Sequence, residues 1–113
     1  MDLILDRDGP SCVWCACPFD ERLNTATTEH LVPRIKGGPS WIENEVAACR
    51  RCNSARGHRG LGEFADECEG LGREVDRERI VRCLNALSGA IAERGGQRRA
   101  RPYIATQLRR LDV

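Results

Sequence analysis

Cys49-Arg50-Arg51-Cys52-Asn53-Ser54-Ala55-Arg56-Gly57, set against Cys12-Val13-Trp14-Cys15 upstream, decides the fold. Each pair of cysteines is separated by two residues. That spacing points both thiolates of a knuckle at one ion, and two knuckles complete a closed tetrahedral site. A closed site keeps no position for water, so Cys12, Cys15, Cys49 and Cys52 are expected to bind a structural zinc ion. Cys17 offers a second register, Cys15-Ala16-Cys17, but two intervening residues suit the knuckle better. The other two of the seven cysteines, Cys68 and Cys83, lie in helical patterns without a paired neighbour and read as small apolar core residues.

The composition gives a metal staple a purpose. The chain has 113 residues, enough for one domain, and only 4% of them are aromatic. The N-terminal stretch Met1 to Asp8 lacks the basic start and apolar run of a signal peptide. The apolar stretch near Leu84 to Ala92 is interrupted and too short to span a bilayer. The reading is cytoplasmic, with no membrane. In a reducing compartment an odd number of cysteines favours metal over disulfides. The net charge of +1 excludes nothing, but charge is uneven. Arg50, Arg51, Arg56 and Arg59 stand together without an acid, and Arg94, Arg98, Arg99 and Arg101 form a second basic run. Such asymmetry fits a phosphate-facing side, or simply a solvated face.

A change of pattern near Gly60 divides the chain. Residues 10–60 read as a zinc-clamped core, and residues 61–113 as a helical extension, within one domain over 1–113. Thr27 to Val32 is rich in β-branched residues and predicts a strand that Pro33 ends. Ile35 to Ser40 is a glycine-proline loop, Glu45 to Ala48 the returning strand, and Arg50 onward a helix. Leu61 to Glu69 predicts a short helix. Asp76 is the expected N-cap of a longer one, with Ile80, Val81, Leu84, Leu87 and Ile91 on one face and Gly95-Gly96 as its stop. A last helix begins near Pro102, with Tyr103, Gln107 and Leu111 sharing a face.

Glu29-His30, Asn44 and Asn53 lie within or beside the clamped segment, with Arg56 three residues after Asn53. Hydrolysis of a phosphodiester needs a base for water, oxygen ligands for a hard cation, a group orienting the base, and cations for phosphate. His30 suits the base. Glu29 and Asn53 offer the oxygens that magnesium or manganese prefers. The Asn44 amide could hold the imidazole, and Arg56 could grip the scissile phosphate. Taken singly, these are a structural histidine, a turn residue, a helix cap and a surface charge. Their joint spacing inside a two-knuckle frame points to chemistry.

The run from Glu29-His30-Leu31-Val32-Pro33-Arg34-Ile35-Lys36-Gly37-Gly38 through Asn44 to Cys49–Gly57 resembles the HNH endonuclease family, in its zinc-stabilised four-cysteine branch. The resemblance covers about Cys12 to Gly60. It implies an α+β fold with a small ββα-metal, treble-clef-like core, followed here by C-terminal helices. It also implies His30 as general base, Asn44 as the supporting middle position, and Asn53 as a ligand of one catalytic Mg2+ or Mn2+. Glu29 stands where many members have aspartate, one methylene shorter. Double-stranded DNA is the expected partner, with Arg34, Lys36, Arg50, Arg51, His58 and Arg59 as candidate contacts. Two other readings remain open: a non-catalytic zinc-binding module for nucleic acid or protein, and the nuclease subunit of a phage packaging machine or mobile element with a protein partner.

Overall fold

A computed structural model describes residues 1–111. The elements run α1 (Asp2–Asp8), β1 (Ala26–His30), β2 (Glu45–Cys49), α2 (Arg50–Arg56), α3 (Leu61–Gly70), α4 (Arg77–Arg94) and α5 (Ala100–Leu111). Short 3₁₀ turns occupy Arg34–Lys36 and Ile42–Asn44. The fold is α+β, with the two-stranded sheet, the following helix and the cysteine pairs expected of a ββα-metal core.

β1 and β2 are antiparallel, from Ala26 opposite Cys49 to His30 opposite Glu45. The sequence predicts a first strand reaching Val32, but β1 ends at His30. The reason is local. The Asn44 side chain takes both backbone groups of Val32, accepting from its N–H at 2.8 Å and donating to its carbonyl at 3.0 Å. A side chain thus replaces the ladder where the chain must turn. The turn also needs its glycines. Gly37 has φ of +88°, and a Cβ on Gly38 would stand 1.8 Å from the Val32 carbonyl oxygen.

The helical half begins close to where the sequence puts it. Asp76 caps α4 by accepting from the Arg79 N–H at 3.0 Å, and Gly95 ends that helix. No sequence pattern announces α1. It buries Ile4, and Arg7 at its end donates to the carbonyls of Ile42 and Glu45 at 2.8 and 2.6 Å.

Trp14, between the first two cysteines, is fully buried and meets Phe64 of α3 edge-to-face at 4.8 Å. An indole of this size contributes roughly 4–6 kcal/mol by removal of apolar surface from water. Around it lie Val13, Leu31, Val32, Leu61, Ile80, Leu84, Leu87, Ile91 and Ile104, so both halves of the chain feed one core. Polar ties reinforce this. Asp76 N–H donates to the Val13 carbonyl at 2.9 Å, Arg79 to the Ser11 carbonyl at 2.9 Å, and Gly62 N–H to Gln107 at 2.8 Å. Cys68 and Cys83 are buried within this core. Among the described residues, no helix is long and apolar enough to cross a membrane.

Candidate active site

The metal clamp comes first, because it fixes both ends of the hairpin. The sulfurs of Cys12, Cys15, Cys49 and Cys52 all lie within 4.8 Å of one another. Cys15 and Cys49 are 4.0 Å apart. Four sulfurs around a zinc ion stand about 3.8 Å apart, so the group is sized for such a metal. The backbone N–H groups of Trp14 and Cys49 donate to the Cys12 sulfur at 3.4 and 3.3 Å, as donors to a thiolate would. Burial pushes the Cys12 thiol up to about 11. Cys15 is also disfavoured by burial, yet hydrogen bonds from the Cys17 backbone and the neighbouring thiols bring it down to about 7. Crowded, desolvated sulfurs of this kind call for a cation. Cys17 is exposed and outside the group.

Successive residues of a strand face opposite ways, and this separates Glu29 from His30. His30 stays partly exposed. Its Nε2 is 3.4 Å from Ser40 Oγ and 3.6 Å from Glu45 Oε2, the carboxylate directly across the sheet. Glu29 turns inward and is only 5% exposed. One of its oxygens accepts from Trp14 Nε1 at 2.9 Å and the other from Arg56 Nη1 at 3.2 Å. Burial pushes its carboxyl up, against the opposite pull of Arg56 and Trp14. The expectation that Glu29 ligates the catalytic ion beside His30 therefore needs correction: its oxygens are committed on the inner face.

Arg56 is corrected for the same reason. The sequence places it on a phosphate, but it is 1% exposed and its guanidinium is spent inside. It donates to the carbonyls of Arg59, His30 and Leu31, to Glu29, and to the Tyr103 hydroxyl, all at 2.8–3.2 Å. The planar fork suits such convergent acceptors. The result is a pin beneath His30, joining α2, β1 and α5. Asn44 also differs from expectation. It is fully buried, and its amide clamps Val32 and the Pro39 carbonyl instead of the imidazole.

Asn53 lies on α2 directly after Cys52. Its Nδ2 donates to Thr27 Oγ1 at 3.0 Å and to the Thr28 carbonyl at 3.1 Å, two residues before His30. Its Oδ1 accepts no hydrogen bond among the described residues. Arg34, Lys36, Arg50, Arg51 and His58 are exposed. Arg34 donates to Ser40 Oγ at 3.2 Å, which places it one hydroxyl away from His30. Arg51 stands by the sulfurs of Cys52 and Cys49, which raise its pKa. Arg59 is partly committed, donating to the Ala55 and Arg56 carbonyls and lying 3.5 Å from Glu67.

Sequence reasoning missed Ser40 and Glu45 beside His30, and Trp14 and Tyr103 beneath it. Glu45 becomes legible only with the hairpin register. Trp14 carries a signal in retrospect, since a buried indole N–H seeks an acceptor.

A family description, HNH endonuclease, matches residues 12–69, which include both cysteine pairs, the hairpin and α2. The chain is also 33% identical over 55 residues to the CRISPR-associated endonuclease Cas9 of Corynebacterium diphtheriae. That similarity covers 48% of this chain and 5% of the relative. No solved structure matches.

Proposed function

The chain belongs to the HNH endonuclease family, and we propose that it cuts phosphodiester bonds of double-stranded DNA with His30 as general base. The observation that carries this reading is the setting of His30. Its ring is open to solvent on one side, while the peptide beneath it is held through the His30 and Leu31 carbonyls by Arg56. A base must be reachable and fixed at once.

The proposed division of labour follows from the contacts. Nε2 faces Ser40 and Glu45, so it keeps its proton and donates toward them. Nδ1 then accepts the proton of the attacking water. Glu45 stabilises the imidazolium that results. The water oxygen forms the new bond to phosphorus as the bond to the 3′-oxygen breaks. Asn44 and Arg56 act as positioning residues that fix the backbone around His30.

Two metals suit the residues present. The four cysteines would hold zinc as a clamp without chemistry of its own. Asn53 Oδ1 offers an oxygen donor of the kind Mg2+ or Mn2+ takes. Such an ion, when bound, neutralises charge on the phosphate and the departing oxygen.

The test is nicking of supercoiled plasmid by the zinc-loaded chain with and without added magnesium or manganese. Nicks that require the added ion support the reading. No nicking with either ion would leave a zinc-binding interaction module as the better account.

A further inference from the structure

Several arginines of this chain are held in ion pairs and others are not. Arg77, Arg79, Arg82, Arg94 and Arg110 of the helical half all sit within 3.5 Å of a carboxylate. Arg98 and Arg99, in the turn between α4 and α5, have no such ion pair among the described residues. Neither do Arg34 and Lys36, in the turn after β1. The structure puts these four together. A Cβ on Gly37 would stand 2.8 Å from Arg99 Cβ and 3.3 Å from the Ala100 nitrogen, so the two turns touch. Arg99 donates to the Ile35 carbonyl where they meet. Gly37, Gly96, Gln97, Arg98 and Arg99 line an open cleft of about 460 Å³. Arg34, three residues before Gly37, links this region to His30, since its Nη2 meets the Ser40 hydroxyl that also faces the imidazole.

The touching turns thus present four cations without acid partners on one surface, and such a patch attracts a polyanion. The geometry points to a phosphate-binding arm: the Gly95–Arg99 turn, with Arg34 and Lys36, grips the backbone of duplex DNA beside the position of cleavage. This rests on the reading of the protein as a DNA-cutting enzyme, and it gives the α4–α5 turn a role beyond connection. Arg98 reaches phosphate directly, and Arg99 does so while bracing the Ile35 carbonyl. The arm touches backbone alone, so it strengthens binding without selecting a sequence.

The experiment measures binding apart from cleavage. A labelled DNA duplex is titrated with the His30→Ala chain in buffer without magnesium or manganese, over a range of KCl. Adding Arg98→Gln and Arg99→Gln should lower the slope of log K against log salt by about 1.8, near 0.9 for each phosphate that is no longer neutralised. Between roughly 50 and 200 mM KCl the parent then loses about twelvefold more affinity than the variant. Arg98 makes no hydrogen bond or ion pair among the described residues, so Arg98→Gln alone must show half of that change with the fold intact. Arg22→Gln, before the far end of β1, should leave the slope unchanged. A parental slope in both Arg98→Gln and the double variant overturns the arm, whatever the nuclease assay shows. A lowered slope in a chain that never nicks plasmid supports the arm and removes the catalytic reading.

Discussion

The two faces of β1 carry opposite physics within five residues. The inner face, through Glu29, closes a hydrogen-bonded network of Trp14, Arg56 and Tyr103. The outer face, through His30, meets Ser40, Glu45 and solvent. Glu29 and His30 are adjacent, and the period of a strand alone sends them apart. A charge on the inner face is spent on partners within the fold. A charge on the outer face is available to substrate. A pair that looks catalytic in sequence is thus divided between the interior and the surface.

The harshest way to break this comparison removes the clamp that holds both faces. Cys49→Ser should release zinc and collapse the hairpin, since metal binding in such sites is coupled to folding at apparent energies of about 10–16 kcal/mol. Metal analysis and circular dichroism read both losses together. A full zinc complement in the folded variant would remove Cys49 from the ligand set.

The inner face is tested next. Arg56→Met should lower stability by roughly 3–5 kcal/mol in urea, because it strands the buried Glu29 carboxylate. Were Arg56 a phosphate contact instead, stability would barely move and affinity for DNA would fall. Glu29→Gln keeps the Trp14 hydrogen bond and should cost less, about 1–3 kcal/mol. Cleavage per folded molecule should survive that change. A folded Glu29→Gln chain with no activity would return Glu29 to the catalytic ion.

The smallest effect on stability belongs to the outer face. Glu45→Gln should stay within about 0.5 kcal/mol of the parent. Its activity should fall about tenfold to a hundredfold, the usual loss when the group behind a working histidine is removed. Unchanged cleavage would free Glu45 from any role beside His30.

Much of the frame was legible because local rules wrote it. Two cysteine pairs mark the clamp, Asp76 marks the start of α4, and Gly95 its end. The expected strand overruns its true end because no propensity announces that Asn44 will take the backbone of Val32. Arginine is rarely buried, so nothing in the sequence marks Arg56 as a pin rather than a surface charge. Its partner Tyr103 lies in another helix, 47 positions away. Glu45 can be placed beside His30 only once the register is known. The alternation of β1 was available all along, and it would have parted Glu29 from His30 without a structure.

The central claim is that His30 does chemistry on a scaffold that does not need it. Its most direct measurement is plasmid nicking by the parent and by His30→Ala, each at full zinc content and matched stability, with magnesium or manganese present. The account predicts metal-dependent nicks from the parent and none from the variant. Equal cleavage by both chains would contradict it.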